Sequence, residues 1–440
     1  MRNATKNDLF VTDAVMITVG IIIGAGIFRT PSLIAANAWG GTQMILFWAA
    51  GGLISLLGAL CFAELASTYP GQGGDYYYIN RAFGRPFAFL FAWSRLMVIQ
   101  TGSIAMLAFI AGDYLSELTG MGNVSSFIAV GLVVLLSAVN ITGFTESKII
   151  QRVMVSAIIA GLIVVGFSGL SMTGRQLMVH RPDEGSVNFA KVLIFVLLTY
   201  GGWNEAVYLS AEVEKKRMIK VLSLSVAIVT IVYLLVNLAY LKGLGISGMS
   251  STETVAADLM RKAAGENGAK FISLLIAIAA IGTINGSIIT GARTAYAVGK
   301  DFKLFKFLGS WNVSRQVPQN AVIFQGSMAF LLVIFGSFTR DGFSAMVYFT
   351  APVFWFFFLL STISLFILRK RDKSVERPFS VPFFPLIPVL FAGICLFMFL
   401  SSLKETAAGT LIGVILVLSG LPLFFLNKYI SSGRPDYKKE

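Results

Sequence analysis

Two glycine-bearing runs interrupt stretches that are otherwise apolar enough to lie in hydrocarbon. The first reads Gly20-Ile21-Ile22-Ile23-Gly24-Ala25-Gly26-Ile27-Phe28, then Arg29-Thr30-Pro31. The second reads Phe195-Val196-Leu197-Leu198-Thr199-Tyr200-Gly201-Gly202-Trp203-Asn204-Glu205. Glycine lowers the cost of unwinding a helix, and a break at membrane depth frees amides and carbonyls that lipid cannot satisfy, so something polar must fill each gap. Around Gly24, Ala25 and Gly26 the freed amides suit a carboxylate, helped by the positive end of the helix continuing toward Arg29. Around Leu198, Thr199 and Gly201 the freed carbonyls suit an ammonium group. One carboxylate and one ammonium a few ångströms apart describe an α-amino acid. For the first run alone, the competing reading is close helix packing through small residues.

The elements that carry these runs follow from composition. Of 440 residues, 56% are hydrophobic and 13% charged, with a mean hydropathy of +0.78, which excludes an ordinary soluble domain and predicts an all-α polytopic membrane protein. Apolar blocks near 10–36, 41–66, 88–112, 126–145, 150–170, 189–210, 220–241, 271–292, 321–338, 343–368, 383–401 and 407–427 predict twelve transmembrane helices in one transporter domain over 1–440. The first block is read as a span rather than a cleavable leader. Each glycine run opens a set of about five spans, 10–170 and 189–368, with 383–427 as two additional spans. Five being odd, the second set enters the membrane from the opposite side, and paired interruptions in inverted halves point to a transporter's central site.

The net charge of +13 would suggest nucleic acid if the excess formed a patch. It does not. With the N-terminus in the cytoplasm, 24 of the 35 Lys and Arg residues fall on that side and 9 on the other, Arg29 and Arg95 lying inside spans. That asymmetry predicts a multi-pass cytoplasmic-membrane protein with both termini cytoplasmic, and no nucleic acid partner. The cluster Arg369-Lys370-Arg371-Asp372-Lys373 sets topology and suits contact with membrane lipid. In the longest connections, about 171–188 and 242–270, only Thr252 to Ala264 suggests a short surface helix.

Four ordered elements carry a family resemblance. Gly24-Ala25-Gly26-Ile27-Phe28 resembles the Gly-Ser-Gly-Ile-Phe element of the amino acid, polyamine and organocation permease superfamily, and Tyr69-Pro70-Gly71-Gln72-Gly73-Gly74-Asp75-Tyr76-Tyr77-Tyr78 resembles its signature after span 2. Tyr200-Gly201-Gly202-Trp203-Asn204-Glu205, and Ile281-Gly282-Thr283-Ile284-Asn285-Gly286-Ser287 followed by Arg293, are similar to the L-type amino acid transporter branch. The resemblance implies a five-plus-five inverted repeat with discontinuous spans 1 and 6, moving amino acids by alternating access. It assigns Ile22, Gly24, Ala25 and Gly26 to the substrate carboxylate, Leu198, Thr199 and Gly201 to its ammonium, and Asn285 as a polar neighbour. The chain departs from the family at Ala25, usually Ser; at Leu198, often an aromatic gate; and at Ser156, where many relatives carry lysine. Coupling to a proton, to sodium or to exchange stays open.

Other residues bear two readings each. Trp203, with Tyr200 beside it, is a gating or conformational residue or a packing one. Arg95, about nine residues into span 3, faces protein or water in a conformational role, or anchors at the interface. Glu205 locks the unwound segment or accepts a proton. Glu64 and Asp113, near span ends, read first as interfacial, and Cys61 and Cys395 as packing residues. With one histidine, His180, and two separated cysteines, no metal spacing appears, and no cofactor motif or phosphate loop is present. No nucleophile, base and acid converge in the sequence, so the chain is read as no enzyme. Asn123-Val124-Ser125 matches a glycosylation sequon. The leading reading is secondary active transport of α-amino acids. Its alternatives are a polyamine or organic-cation permease and a non-transporting nutrient sensor of the same fold. On an auxiliary subunit the residues carry no signal.

Overall fold

The structure is a computed structural model that describes residues 10–70, 74–120, 124–143, 148–172, 188–211, 213–404 and 408–432. His180, Asn123, Gly71 to Gly73 and most of the 171–188 connection lie outside the described residues. The first apolar block is not one helix but three pieces: α1 (Val11–Ile22), a 3-10 turn over Ala25–Phe28, and α2 (Thr30–Asn37), whose first turn carries Pro31 where no amide is needed. Next come α3 (Gly41–Thr68) and the ten-residue α4 (Gly74–Phe83). Gly84, at φ 87°, turns the chain into α5 (Arg85–Ser94), which continues through a π-helical turn over Arg95–Ile99 into α6 (Gln100–Thr119).

After α7 (Ser125–Ile141) and α8 (Lys148–Ser171), the second interruption separates α9 (Phe189–Thr199) from a 3-10 segment, Trp203–Ala211. Then follow α10 (Met218–Ser250), α11 (Val255–Asp301), α12 (Gln319–Ser337), α13 (Gly342–Arg371), α14 (Leu386–Lys404), α15 (Ala408–Leu418) and α16 (Gly420–Ser432). Non-helical angles at Ala264 and Gly265 set the first part of α11 apart from the rest. The helix expected over Thr252 to Ala264 thus forms, but it is not purely a surface element: Val255, Ala256 and Leu259 are fully buried.

Among the described residues, eight helical runs are long and apolar enough to cross a membrane: Gly41–Thr68, Arg85–Thr119, Lys215–Ser250, Val255–Asp301, Gln319–Ser337, Gly342–Arg371, Leu386–Lys404 and Gly409–Ile430. Val11–Ile22, Ser125–Ile141 and Ser156–Ser171 are shorter apolar helices. Burial follows the rule for a bundle in lipid. Large apolar side chains such as Phe127 (79% exposed) and Phe167 (77%) face outward, where water would penalise them and hydrocarbon does not. Inside, small residues let helices close up. A side chain at Gly51 would strike Val196 and Tyr200, and one at Gly102 would strike Thr350.

At the centre α1 and α2 pack on α10, α3 covers α9 and the Trp203–Ala211 segment, and α11 backs the Ala25–Phe28 turn. The last helices are part of this body, since α14 packs on α3, α9 and α13.

Candidate functional site

Both glycine runs break their helices. At the first, Gly24 is extended (φ −98°, ψ −177°), its amide turns back to the Ile22 carbonyl at 2.9 Å, and the 3-10 turn begins at Ala25. The leading amides of such a turn, here on Ala25 and Gly26, have no partner within it. At the second, α9 ends at Thr199 and Gly202 takes φ 104°, a left-handed value that strains any other residue. The Leu198 carbonyl already accepts from the Gly201 amide at 2.9 Å, so only its second lone pair is free.

The two breaks meet, and they meet head to tail. The hydroxyls of Thr199, before the second break, and Thr30, after the first, are hydrogen-bonded at 2.9 Å. A Cβ on Gly26 would stand 3.6 Å from the Thr199 methyl. On the other side of the crossing, a Cβ on Gly202 would stand 3.1 Å from the Ile21 carbonyl and 3.3 Å from the Ile22 Cα. Gly26 is therefore brought against Thr199, and Ile21 and Ile22 against Gly202. A Cβ on Gly24 would meet nothing within 4 Å, so space opens beside the first break.

Behind both breaks stands Tyr233 of α10, a residue the sequence reading missed. Its hydroxyl lies 3.2 Å from the Ile22 carbonyl and 3.1 Å from the Thr199 carbonyl, two of the acceptors that unwinding frees. The ring is fully buried against Trp48 (5.4 Å between centroids) and Tyr200 (5.1 Å). Tyr200 in turn donates to the Trp48 carbonyl at 2.9 Å. A tyrosine inside an otherwise apolar block was the available signal, because a buried phenol needs a partner.

Comparisons with known proteins give the family. Residues 9–421 match the amino acid permease family. The chain belongs to that family. The permease is 28% identical over 448 residues to the b(0,+)-type amino acid transporter 1 of Mus musculus, covering 97% of this chain and 89% of that one. It is 27% identical over 436 residues to the serine/threonine exchanger of Bacillus subtilis (strain 168), covering 96% and 97%, and to the human cystine/glutamate transporter, covering 96% and 85%. It is thus a multi-pass membrane protein for secondary transport of small molecules, not an enzyme. Among the described residues, no group of three or more potential metal ligands comes together.

Ion pairs flank the crossing on either side. On the side of Glu205, the permease pairs two residues that the sequence singled out separately: Arg95 donates to both Glu205 oxygens at 3.0 Å and to the Tyr208 hydroxyl at 3.3 Å. The Arg95 head therefore faces protein. On the side of α2, Arg29 is 3% exposed and lies 3.1 Å from Glu253, 3.3 Å from Asp341 and 3.6 Å from Asp113. Its charge is committed to these carboxylates, and Asp113, half-buried, also accepts from Ser125. Glu64 is not interfacial. It is 1% exposed, gripped by Arg369 and bonded by the Val381 amide at 2.7 Å, because the chain between α13 and α14 folds back over the end of α3.

Trp203 is 3% exposed and packs on Phe62 (5.1 Å), Phe358 (5.4 Å) and Phe391 (6.3 Å). Asn285 accepts from Asn140 of α7, and Leu198 is half-buried beside the second break. Ser156 is exposed on α8. Cys61 and Cys395 are both fully buried free thiols.

Proposed function

We propose that this permease carries α-amino acids by alternating access, with the substrate carboxylate on the amides of Ala25 and Gly26 and its ammonium on carbonyls at Leu198, Thr199 and Gly201. The observation that carries this reading is the head-to-tail meeting of the two breaks, which sets a backbone end that supplies amide donors beside one that supplies carbonyl acceptors, a pairing that suits a zwitterion better than a simple cation or anion. Twelve crossings in a five-plus-five inverted repeat, with both termini cytoplasmic, fit the antiparallel crossing of the broken helices and the excess of Lys and Arg on one side. In this reading Arg95–Glu205 bars the cytoplasmic path, and Arg29 with its carboxylates bars the other. The relatives' printed names, an amino acid transporter and a serine/threonine exchanger among them, support amino acids as the cargo.

Competition binding to the purified protein tests this. A neutral amino acid displaces a bound labelled one, whereas its decarboxylated amine and its deaminated acid each bind at least about tenfold more weakly, each having lost a charge-assisted set of hydrogen bonds. Equal displacement by a polyamine would refute the zwitterion site, since a polyamine has no carboxylate for the first break.

A further inference from the structure

The chain between α11 and α12, residues 302–318, has two faces. Its inward face belongs to the fold: Phe305 is buried against Phe89 and Trp93 of α5, with ring centroids 6.0 and 5.4 Å apart, and Leu308 is fully buried. The backbone is pinned as well. The Leu304 amide donates to Asn427 of α16 at 3.0 Å, Gln319 donates to the Ile141 carbonyl at the end of α7 at 3.0 Å, and a side chain at Gly299 would strike the backbone of Gly309. At the tip, the Asn312 amide closes on the Val317 carbonyl at 3.0 Å.

The outward face is apolar where a water-facing turn would be polar. Phe307 is 50% exposed, Trp311 42% and Val313 81%. Phe307 meets Phe324 of α12 edge-on at 6.1 Å, and its carbonyl accepts from Asn320 at 2.8 Å. Trp311 meets Tyr296 of α11 edge-on at 5.3 Å. Beside Phe324, Ile323 is exposed on a membrane-crossing helix, as Leu331 is two turns on, so lipid already lies against that stripe. The exposed rings therefore continue the lipid-facing side of α12 past its first turn.

Positive charge surrounds them. From Arg293 to Asn320 the sequence holds five basic residues, Arg293, Lys300, Lys303, Lys306 and Arg315, against one acidic residue, Asp301. All five are exposed, and among the described residues none of them pairs with a carboxylate. Lys300 lies over the Tyr296 ring at 5.3 Å, and Arg315 donates to the Ile141 carbonyl. Lys303 and Lys306 are engaged by neither kind of contact. Exposed aromatic rings among cations at the end of a span match the headgroup layer, where an indole sits at the acyl boundary and ammonium groups gain from anionic phosphate.

We propose that residues 302–318 are a docking surface for anionic phospholipid in the adjacent leaflet, with Phe307, Trp311 and Val313 at the acyl boundary and Lys303 and Lys306 on the headgroup. A zwitterionic phospholipid fills the same apolar seat, so the headgroup's net charge makes the selection. Because the segment is tied to α5, α7 and α16, the bound lipid braces those helices against one another. Neither substrate nor alternating access enters this inference.

The test reads Trp311 in the purified full chain in bilayers. Quenching by phosphatidylglycerol brominated on its acyl chains is compared with quenching by brominated phosphatidylcholine, each a minor component of the same unbrominated bilayer. Subtracting Trp311→Phe isolates one indole of six. The anionic lipid should quench the Trp311 signal at a roughly tenfold lower mole fraction. The double variant Lys303→Gln with Lys306→Gln should lose most of that preference while quenching by phosphatidylcholine stays as it was, and high salt should do the same by screening. Equal quenching by the two lipids, no quenching by either, as a seat for a protein partner would give, or an unchanged preference in the double variant overturns the proposal. If Trp311→Phe fails to fold, thermal stability in detergent decides: added phosphatidylglycerol should raise the melting temperature of the parent more than phosphatidylcholine does, and should lose that advantage in the double variant. The same rise with both lipids in both proteins overturns it equally.

Discussion

Tyr233 carries a hydroxyl to a place where two backbone carbonyls have lost helical partners, those of Ile22 and Thr199. One O–H cannot fully satisfy both, so it holds the breaks at a fixed separation while leaving acceptor capacity for an ammonium. Tyr233→Phe keeps the ring that packs on Trp48 and Tyr200, and the fold with it. Losing the hydroxyl should weaken amino acid binding by roughly ten- to a hundredfold, about 1–3 kcal/mol. In the same assay Gly24→Ala, whose methyl enters open space beside the first break, should lower affinity at little cost in thermal stability. Unchanged affinity in both variants would detach the breaks from substrate. At this scale the sequence was informative about backbone and less so about side chains. Both interruptions were legible from glycines in apolar blocks, but Tyr233 was not, because hydropathy does not fix the rotation of α10. Glu64 read as interfacial because it lies near a span end; the last turn of α13, which carries Arg369 to it, and the strap between α13 and α14, which lays the Val381 amide on it, explain its burial.

Among the elements, the π-helical turn over Arg95–Ile99 and the 3-10 segment Trp203–Ala211 form one device. A π turn inserts a residue into the helical register, and this one begins at the arginine that reaches Glu205, 110 residues away in sequence. Arg95 and Glu205 were each singled out from the sequence, yet nothing in either span announced that they pair. Removing one partner leaves the other charge part-buried, beside Asp75 in the case of Glu205. Arg95→Met should therefore lower the melting temperature in detergent by an amount corresponding to about 1–3 kcal/mol, less than a fully buried pair because the side chains are 13% and 34% exposed. The double variant Arg95→Met with Glu205→Gln should recover at least half of that loss. A double variant as unstable as the single one would mean that the pair is not what holds α5 to the segment.

For the whole molecule, composition and apolar blocks announced an all-α bundle, and its long helices fall where the blocks did, including the extension of the third block to Arg85–Thr119. Paired interruptions in inverted halves led to the expectation that the two breaks share one site; the elements that bring them together were not legible, since that depends on how distant spans pack, as α2 does against α9 and α1 against the Trp203–Ala211 segment. Those contacts turn two local motifs into one proposed site, flanked by Arg29 with its carboxylates on one side and Arg95–Glu205 on the other. The most direct test is flux through the purified permease in sealed proteoliposomes, with a labelled amino acid mixture and an imposed proton, sodium or internal amino acid gradient. Saturable uptake above empty vesicles under at least one gradient is the predicted result. No flux under any of the three, from protein shown to be folded and to bind amino acids, would contradict transport and leave a ligand-binding sensor in its place.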